Sequence, residues 1–392
     1  MRVLEDSLYR CNKCGFCQAT CPFYQTTREE WTVARGRLRL MKGVLEGTLA
    51  PSEGYSKVLF QCFSCGACAA SCPSGVQVEK ILIHGRRDLA RQGFLPDSLA
   101  QLGRTVAATG NLTGEANDMR LSWAENLEFS PPQGGRPDVV YFVGCVSSLY
   151  PQAFGLPQNM VRLLDYVAAQ DSKGPGYAVL GGQEVCCGYP LYISGQEDEA
   201  RAMAEANVRA VRETGARTLL TTCPSCYRAW REFYPELLGE DLDVEVVHAS
   251  QWLANADLPS RPIAPLRVDS TPGDKRLRVT YHDPCDLGRG SGIYDEPRAF
   301  LAGIDGVELA EMAYARADAF CCGGGGNMES LNREASQAVV RLRLDQARST
   351  GADLIVTACP QCKRTLGSGT SAGKRIPIVD IVELAWRSVP KG

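Results

Sequence analysis

Two groups of five cysteines recur in the same order along the 392-residue chain, and corresponding members are 135 to 140 residues apart. The first cysteine group is Cys145, Cys186, Cys187, Cys223 and Cys226, and the second cysteine group is Cys285, Cys321, Cys322, Cys359 and Cys362. A tetrahedral zinc takes four ligands, so five thiols favour a larger iron–sulfur cluster, which soft thiolates select. The alternative is a set of buried cysteines with a few disulfides, although adjacent cysteines rarely bond to each other without strain. The repeated pattern therefore predicts two iron–sulfur sites.

Eight further cysteines form two runs near the N-terminus, each with the pattern Cys-x2-Cys-x2-Cys-x3-Cys-Pro. The first run spans residues 11–22 and the second run spans residues 62–73. This is the bacterial ferredoxin spacing for a [4Fe–4S] cubane, in which the fourth cysteine ligates the other cluster. The predicted ligands are Cys11, Cys14, Cys17 and Cys72 for one cubane and Cys62, Cys65, Cys68 and Cys21 for the other. Zinc or disulfide bonding is the alternative for these thiols.

Composition and charge narrow the class of protein. The 18 cysteines are spread over a long chain, below the density of a small disulfide scaffold. The sequence after Met1 has no basic flank followed by an apolar run, and no apolar run approaches the ~20 residues of a membrane helix. We therefore expect a cytoplasmic protein with metal-bound thiolates. The net charge of −3 gives no indication of nucleic-acid binding.

The N-terminal part is more basic than the rest. Residues 1–100 carry 13 Lys+Arg and 9 Asp+Glu. This balance favours docking to an acidic partner or to anionic lipid, and scattered solvated charge is the alternative.

The helical spacing of apolar residues indicates what positions the two ferredoxin runs. Forty residues separate Cys21 from Cys62, whereas a compact β-rich ferredoxin holds its runs close together. Within them a helical face is formed by Leu38, Met41, Val44 and Leu45. Residues 78–92 also have a helical pattern. The sequence therefore predicts an α-helical ferredoxin domain, followed by short helix and loop over 96–130 and a Pro/Gly-rich boundary at 131–137.

Strands and helices then alternate through two similar copies. The predicted strands are 139–143, 177–180, 218–221 and 244–247 in the first copy and 278–281, 353–356 and 376–379 in the second. The predicted helices are 151–169, 196–214, 296–303, 330–349 and 380–387, with Leu331, Ala335, Ala338 and Leu342 on one face of 330–349. Such alternation implies parallel sheets. Each cysteine group follows strand ends, where open α/β sheets form their sites.

These patterns predict an α+β protein, with an N-terminal α-helical ferredoxin domain followed by two tandem α/β cysteine-rich domains. The expected boundaries are 1–95 for the ferredoxin domain, 96–136 for a linker, 137–260 for the first cysteine-rich domain and 261–392 for the second. Residues 258–276 are the expected connection between the two copies. The glycine run at 323–326 lacks the spacing of a dinucleotide or P-loop motif, so we expect no nucleotide or flavin.

With both ferredoxin runs and both Cys-Cys-Gly groups in place, nearly the whole chain resembles the D-type subunit of heterodisulfide reductase. It is also similar to the iron–sulfur subunits of anaerobic glycerol-3-phosphate dehydrogenase and glycolate oxidase. The resemblance implies that each cysteine-rich (CCG) domain holds a noncubane [4Fe–4S] cluster on its five cysteines. It also implies that a disulfide lies between these two clusters and receives single electrons through the two cubanes.

Two positions depart from the family pattern. Asp286 stands where family members often have His, and the glycine run after Cys322 is particular to this chain. Two neighbours of the second cysteine group are further candidates. His282 could donate a proton to a nascent thiolate, the alternative being a histidine that caps a strand end. Lys363 could attract an anionic substrate, the alternative being a solvated lysine.

The resemblance predicts an oxidoreductase component of anaerobic metabolism that reduces a disulfide within a multi-subunit complex. The alternative is an electron relay without disulfide chemistry, linking a partner dehydrogenase or reductase to quinone, cytochrome b or a flavoprotein. The expected partners are a flavoprotein, a dehydrogenase or a membrane cytochrome b, with a small disulfide or thiol as substrate and no nucleic acid. We expect the chain in the cytoplasm or, through a partner protein, at the inner face of the membrane.

Overall fold

The computed structural model describes residues 4–170, 176–256, 258–259, 276–369 and 376–390. Helices form the N-terminal part, and two small parallel sheets with flanking helices form the rest, so the predicted α+β class is confirmed. The expected connection at 258–276 lies almost entirely outside the described residues.

The N-terminal part is helical throughout. Its helices are α1 (Glu5–Tyr9), α2 (Phe16–Thr20), α3 (Pro22–Thr27), α4 (Ala34–Leu45), α5 (Glu53–Phe60), α6 (Ala67–Ala70), α7 (Val78–Arg91) and α8 (Asp97–Thr109). The two predicted helices correspond to α4 and α7, and α4 buries Leu38 and Met41 as its apolar face requires. Helix α5 has no counterpart among the predicted helices, although Ser52 caps it by accepting a hydrogen bond from the Tyr55 amide at 3.3 Å.

The segment after α8 lies over the next part of the chain, where Asn117 donates to the carbonyls of Gly182 and Glu184. A 3-10 helix, Asn117–Ala124, buries Arg120 and Trp123. The Pro/Gly-rich boundary also contributes to the sheet, because the Val179 amide donates to the Pro132 carbonyl at 2.9 Å.

The first unit contains a four-stranded parallel sheet with the strand order β2-β1-β3-β4. Its strands are β1 (Val139–Phe142), β2 (Tyr177–Val179), β3 (Thr218–Thr221) and β4 (Glu245–His248). Its helices are α9 (Cys145–Leu149), α10 (Gly155–Gln170), α11 (Tyr189–Tyr192), α12 (Glu197–Thr214), α13 (Pro224–Arg228), α14 (Tyr234–Leu238) and α15 (Ala249–Asn255). Gly215 ends α12 in the left-handed conformation at φ 71°, where a residue without Cβ is favoured.

The second unit repeats this order as β6-β5-β7-β8. Its strands are β5 (Leu277–His282), β6 (Val307–Leu309), β7 (Leu354–Thr357) and β8 (Ile378–Asp380). Its helices are α16 (Asp295–Gly303), α17 (Met328–Leu331), α18 (Arg333–Arg348), α19 (Pro360–Ser368) and α20 (Ile381–Ser388). The sequence analysis missed β6, a three-residue edge strand with no fully buried residue and hence a weak apolar signal.

The two units pack against each other in a reciprocal arrangement. Helix α10 of the first unit contacts α20 of the second, and α15 of the first contacts α16 of the second. These pairs are equivalent because α10 and α16 follow the first strand of their units, whereas α15 and α20 follow the last. One apolar core runs through both units and includes Tyr141, Leu253, Tyr281 and Leu384.

The predicted apolar face of the helix at 330–349, which the structure divides between α17 and α18, was wrong in part. Of Leu331, Ala335, Ala338 and Leu342, only Ala335 is buried, while the helix buries Val339, Arg343 and Leu344. The buried stripe is rotated because the Arg343 guanidinium lies inside the second unit against His282.

Candidate iron–sulfur centres

The two cysteine groups meet at one cavity of about 240 Å³ between the units. Cys145 follows β1, Cys223 follows β3, and Cys285 and Cys359 follow the equivalent strands β5 and β7. Parallel strands end at the same edge of a sheet, so each group converges there. Nine of the ten thiols line the cavity; the tenth, Cys321, is buried behind it.

The glycine after each cysteine pair is required by local geometry. Gly188 and Gly323 have φ values of 73° and 99°, and each donates its amide to the first sulfur of its pair at 3.4 Å. A Cβ would lie 3.1 Å from the Ala200 carbonyl oxygen at Gly188 and 2.8 Å from the Ser336 carbonyl oxygen at Gly323. The glycine therefore lets the pair of cysteines approach the following helix closely.

The second cysteine of each pair has the same electrostatic character. Hydrogen bonds from Cys186 and Cys226 lower the pKa of Cys187 to about 6, with burial acting in the opposite direction. Cys321 and Cys362 lower the pKa of Cys322 to about 6 in the same way. A lowered pKa favours the thiolate, which is the form that binds metal, at the equivalent position of both groups.

A buried arginine faces the first cysteine group. Arg120 donates from Nη2 to Cys145 Sγ at 3.1 Å and from Nη1 to Glu184 Oε1 at 2.8 Å. Glu184 in turn accepts the amides of Val143 and Gly144, both at 2.8 Å. The side chains of Arg120 and Glu184 are 1% and 2% exposed, so this ion pair fixes the turn that carries Cys145 in a dry environment.

A histidine and an arginine lie behind the second cysteine group. His282 is buried and does not line the cavity. Its Nδ1 accepts from Arg343 Nε at 3.0 Å, and burial together with the Arg343 charge lowers its pKa well below the usual value. Lys363 points elsewhere, since its Nζ lies 2.7 Å from Glu383.

Asp286, the departure from the family pattern, links the second unit to the first. Its carboxylate accepts from the Tyr189 hydroxyl and Ser225 Oγ, both at 2.7 Å, and from Arg228 Nη1 at 3.0 Å. Arg228 also contacts Glu79 of α7 at 3.0 Å, so the network reaches the N-terminal part as well. Asp286, Tyr189 and Ser225 all line the cavity and form a polar wall between the two cysteine groups.

Two smaller cavities of about 30 Å³ each lie among the ferredoxin cysteines. One is lined by Cys11, Cys14, Cys17 and Cys72, and also by Cys68, which lines both cavities. The other is lined by Cys21, Cys62, Cys65 and Cys68. In each case the fourth cysteine of one run stands with the first three of the other.

Buried cations lie beside the second of these cavities: Arg37 lines it, and Arg86 binds the loop that carries Cys62. Arg37 and Arg86 are 2% and 1% exposed. The acceptors of Arg37 are the backbone carbonyls of Thr32, Val58 and Gln61. Arg86 donates to the carbonyls of Leu59, Phe60, Cys62 and Ile193 and to Ser64 Oγ. Buried charge with neutral acceptors is costly, and an anionic cluster in this cavity offsets that cost, so the residues present fit an iron–sulfur group.

The second unit contacts the ferredoxin run directly. Arg289 Nε donates to the Cys65 carbonyl at 2.6 Å. Gly326 is so close to the Cys62 carbonyl that no side chain fits between them. Phe63 of the same loop also lines the large cavity. The second cysteine group is therefore the one placed next to the ferredoxin cysteines.

Sequence reasoning missed the charged residues that surround the cysteines. Three of them are arginines, each far along the chain from the residue it contacts. Arg120 is 25 residues from Cys145, Arg289 is 224 residues from Cys65, and Arg343 is 61 residues from His282. For Arg343 the sequence signal is an arginine at a helical position whose neighbours are buried, as in α18. Among the described residues, no helix combines the length and the apolar composition that a membrane span requires.

Comparison with known proteins places these features in a family. A cysteine-rich (CCG) domain model matches residues 139–230 and 279–367, and a 4Fe-4S dicluster domain model matches residues 7–76. The chain is 30% identical to the D-type subunit of the dihydromethanophenazine:CoB–CoM heterodisulfide reductase from Methanosarcina barkeri, over 95% of this chain and 92% of that protein. It is 25% identical to an EtfAB:quinone oxidoreductase from Syntrophomonas wolfei, over 97% of this chain and 58% of that protein.

One solved structure shares the fold. The crystal structure of a hypothetical protein from Helicobacter pylori superposes with a TM-score of 0.54 over 100% of this chain and 73% of that chain, at 10% identity.

Proposed function

The chain belongs to the family of the D-type subunit of heterodisulfide reductase, and from that premise we propose that it reduces a disulfide at the cavity between its two cysteine groups. The family models and the relatives identify the chain as an iron–sulfur protein of electron transfer. The observation that carries the finer function is the cavity itself. Nine thiols from two units line one space, so a single small molecule can touch both groups.

The proposed cofactors are two [4Fe–4S] cubanes and two noncubane [4Fe–4S] clusters. The cubane ligands would be Cys11, Cys14, Cys17 and Cys72, and Cys62, Cys65, Cys68 and Cys21. The noncubane clusters would be held by the first and the second cysteine group. When bound, the clusters would supply single electrons to the two sulfur atoms of a disulfide. The grouping of thiols around the three cavities supports this assignment.

The chain's own residues would bind and orient the substrate. Asp286, Tyr189 and Ser225 give the cavity one polar wall, and the Tyr189 hydroxyl is held by Asp286 at 2.7 Å. At another wall Arg364 pairs with Glu329 and lies over the Tyr150 ring at 5.0 Å from its centroid. A disulfide would therefore lie between two polar walls with the cysteines on either side.

The contacts of the ferredoxin cysteines support an order of electron flow. The loop with Cys62 and Cys65 touches the second unit, whereas Cys14 of the first run is exposed and its neighbour Phe16 is 61% exposed. A redox partner would dock at the first run, and electrons would pass through the second run to the second cysteine group. The proposed domains are 1–95, 137–260 and 261–392, with 96–136 as linker, and the matched ranges fall within them.

The second candidate function is an electron relay without disulfide chemistry. It is favoured by the match to an EtfAB:quinone oxidoreductase, a relative whose name refers to a flavoprotein and a quinone. In that case the cavity would hold no substrate sulfur.

The deciding experiment is EPR spectroscopy of anaerobically purified protein during oxidation, with and without 2-mercaptoethanesulfonate (coenzyme M). A paramagnetic signal that requires the thiol would support disulfide chemistry, because a substrate sulfur then reaches a cluster. Reduced-cubane signals that are indifferent to the thiol would support the relay. Iron analysis is the control: four clusters require about sixteen irons per chain, and about eight would contradict clusters in the two cysteine groups.

A further inference from the structure

His282 at the end of β5 has one ring nitrogen in use and one free. The residue is 1% exposed. A ring nitrogen and the Sγ atoms of Cys322 and Cys362 lie within 4.8 Å of one another. Nδ1 accepts from Arg343 Nε at 3.0 Å, whereas Nε2 has no hydrogen-bond partner in the part of the chain that the structure describes. A buried polar atom without a partner is rare and requires an explanation.

Arg343 determines which nitrogen carries the proton. A guanidinium can only donate hydrogen bonds, so Nδ1 of His282 must present a lone pair to it. A neutral imidazole with a lone pair on Nδ1 carries its hydrogen on Nε2. Nε2 is therefore an N–H donor on a ring that lies beside two thiols, and it is not a lone pair available for binding iron.

The first unit has a different arrangement at the equivalent position. Phe142 stands where the second unit has His282, and its ring packs edge-on against Trp230 with centroids 5.7 Å apart. The donor to the first cysteine group is instead the Arg120 cation, at 3.1 Å from Cys145 Sγ. The two groups thus have the same thiols and the same glycine amide donor, and they differ in the side chains beside the sulfurs.

We propose that His282 donates its Nε2–H to the sulfur atoms of the cluster held by the second cysteine group and thereby raises the reduction potential of that cluster. The inference rests on the proposed function, in which these cysteines bind a cluster. A donor to sulfur withdraws electron density and stabilises the reduced state, and hydrogen bonding to sulfur is one of the factors that sets cluster potentials. Arg343 is a positioning residue, since it fixes the tautomer.

The test is an EPR-monitored redox titration of the anaerobically purified full chain. The signal of the second group is the one that is lost in Cys322→Ser. His282→Phe gives the second unit the residue of the first, and we expect its reduced-to-oxidised ratio at the wild-type midpoint to fall about tenfold, which is about 59 mV for a one-electron couple. The potentials of the other three clusters should not move. The matched control is Phe142→Leu, which changes packing at the equivalent position and should shift no potential.

A pair of polar variants keeps the test valid if His282→Phe loses its cluster. His282→Gln places an amide N–H near the position of Nε2 and should restore most of the potential. His282→Asn is too short to do so, although its side-chain oxygen can accept from Arg343, and it should show the lowered potential. Equal potentials in Asn, Gln and wild-type proteins that retain full iron would overturn the proposal.

Two further results separate this inference from its premise. An iron content near eight per wild-type chain would mean that the two cysteine groups hold no cluster, and it would contradict the proposed function itself. Full iron and thiol-dependent EPR signals with an unshifted potential in the His282 variants would overturn only the role of His282. The same holds if these variants keep the potential and instead change the pH dependence of disulfide reduction, because that result assigns His282 to proton transfer.

Discussion

The two cysteine-rich units present the same thiols from equivalent strands, but different residues surround them. The first cysteine group is closed off by the segment after α8, whose Arg120 reaches Cys145 and pairs with the buried Glu184. The second cysteine group faces the ferredoxin part, where Arg289 contacts the Cys65 carbonyl and Gly326 lies against Cys62. The two units therefore differ in their surroundings: the second unit contacts the ferredoxin cysteines, and the first unit encloses its cysteine group away from solvent.

The largest effect is expected from removing one cysteine of a pair. Cys322→Ser should abolish the second group's cluster and Cys187→Ser the first group's, with a loss of about four irons in each case. Because Arg289 and Gly326 of the second unit contact the ferredoxin run, Cys322→Ser should also stop electrons from reaching the first group, whereas Cys187→Ser should leave the second reducible. Iron analysis and EPR after dithionite addition measure both. Loss of every cluster in either variant would indicate misfolding rather than a division between units.

The next largest effect concerns the buried ion pair of the first unit. Arg120→Met leaves the Glu184 carboxylate buried without its partner, which should lower the free energy of unfolding by about 3–5 kcal/mol. The matched variant in the second unit is Arg298→Met, which frees Asp283, a carboxylate that also accepts the Arg316 amide at 2.8 Å. We expect a smaller loss there, because Arg298 also pairs with the partly exposed Glu311 and so lies closer to water, whereas Arg120 and Glu184 are 1% and 2% exposed. Urea denaturation of both proteins provides the comparison, and an equal loss would contradict it.

A smaller effect should follow from disturbing the contact between the second unit and the ferredoxin run. Gly326→Ala forces a side chain toward the Cys62 carbonyl in addition to the ~1–2 kcal/mol cost of a left-handed residue. The control is Gly351→Ala, where φ is 69° and an added Cβ meets nothing within 4 Å. Gly326→Ala should slow electron transfer from the cubanes to the second group in rapid-freeze EPR, and Gly351→Ala should not. Similar rates in the two variants would mean that electrons take another route.

The last effect, and the smallest for a change of one pH unit, is an opposite pH dependence of the two units. His248 and Asp380 cap the last helix of each unit, and burial lowers the pKa of His248 to about 3 and raises the pKa of Asp380 to about 8. The unfolded chain binds the His248 proton more readily, so the stability from His248 is full above pH ~6.5 and falls toward pH 3. The folded chain holds the Asp380 proton more tightly, so the stability from Asp380 is full below pH ~4 and falls as pH rises toward 8.

Each change has a slope of at most about 1.4 kcal/mol per pH unit. His248→Asn should flatten the acid side and Asp380→Asn the alkaline side of stability measured by urea denaturation against pH. Both variants keep an N-capping side chain. A variant that flattens neither side would contradict the assignment for its residue.

The sequence predicted most of the regular structure and located every thiol. Helices α4, α7, α10 and α12 and seven of the eight strands follow from apolar periodicity, since a buried face needs a regular repeat. The edge strand β6 and helix α5 were missed, the first because it buries little. The face of α18 was misplaced because a periodicity argument treats arginine as polar and exposed, whereas Arg343 is buried by its contact with His282.

By itself the sequence determined which atoms can bind iron. Cysteine spacing is a local property, and both ferredoxin runs and both Cys-Cys-Gly groups can be recognised without knowledge of the fold. Only the tertiary structure decided that the two groups share one cavity, that Asp286 links the units, and that the second unit contacts the ferredoxin run. These features depend on contacts between residues 97 and 224 positions apart, such as Tyr189 with Asp286 and Cys65 with Arg289. No local pattern encodes such pairs, because they form only when the buried faces of the sheets and helices have packed together.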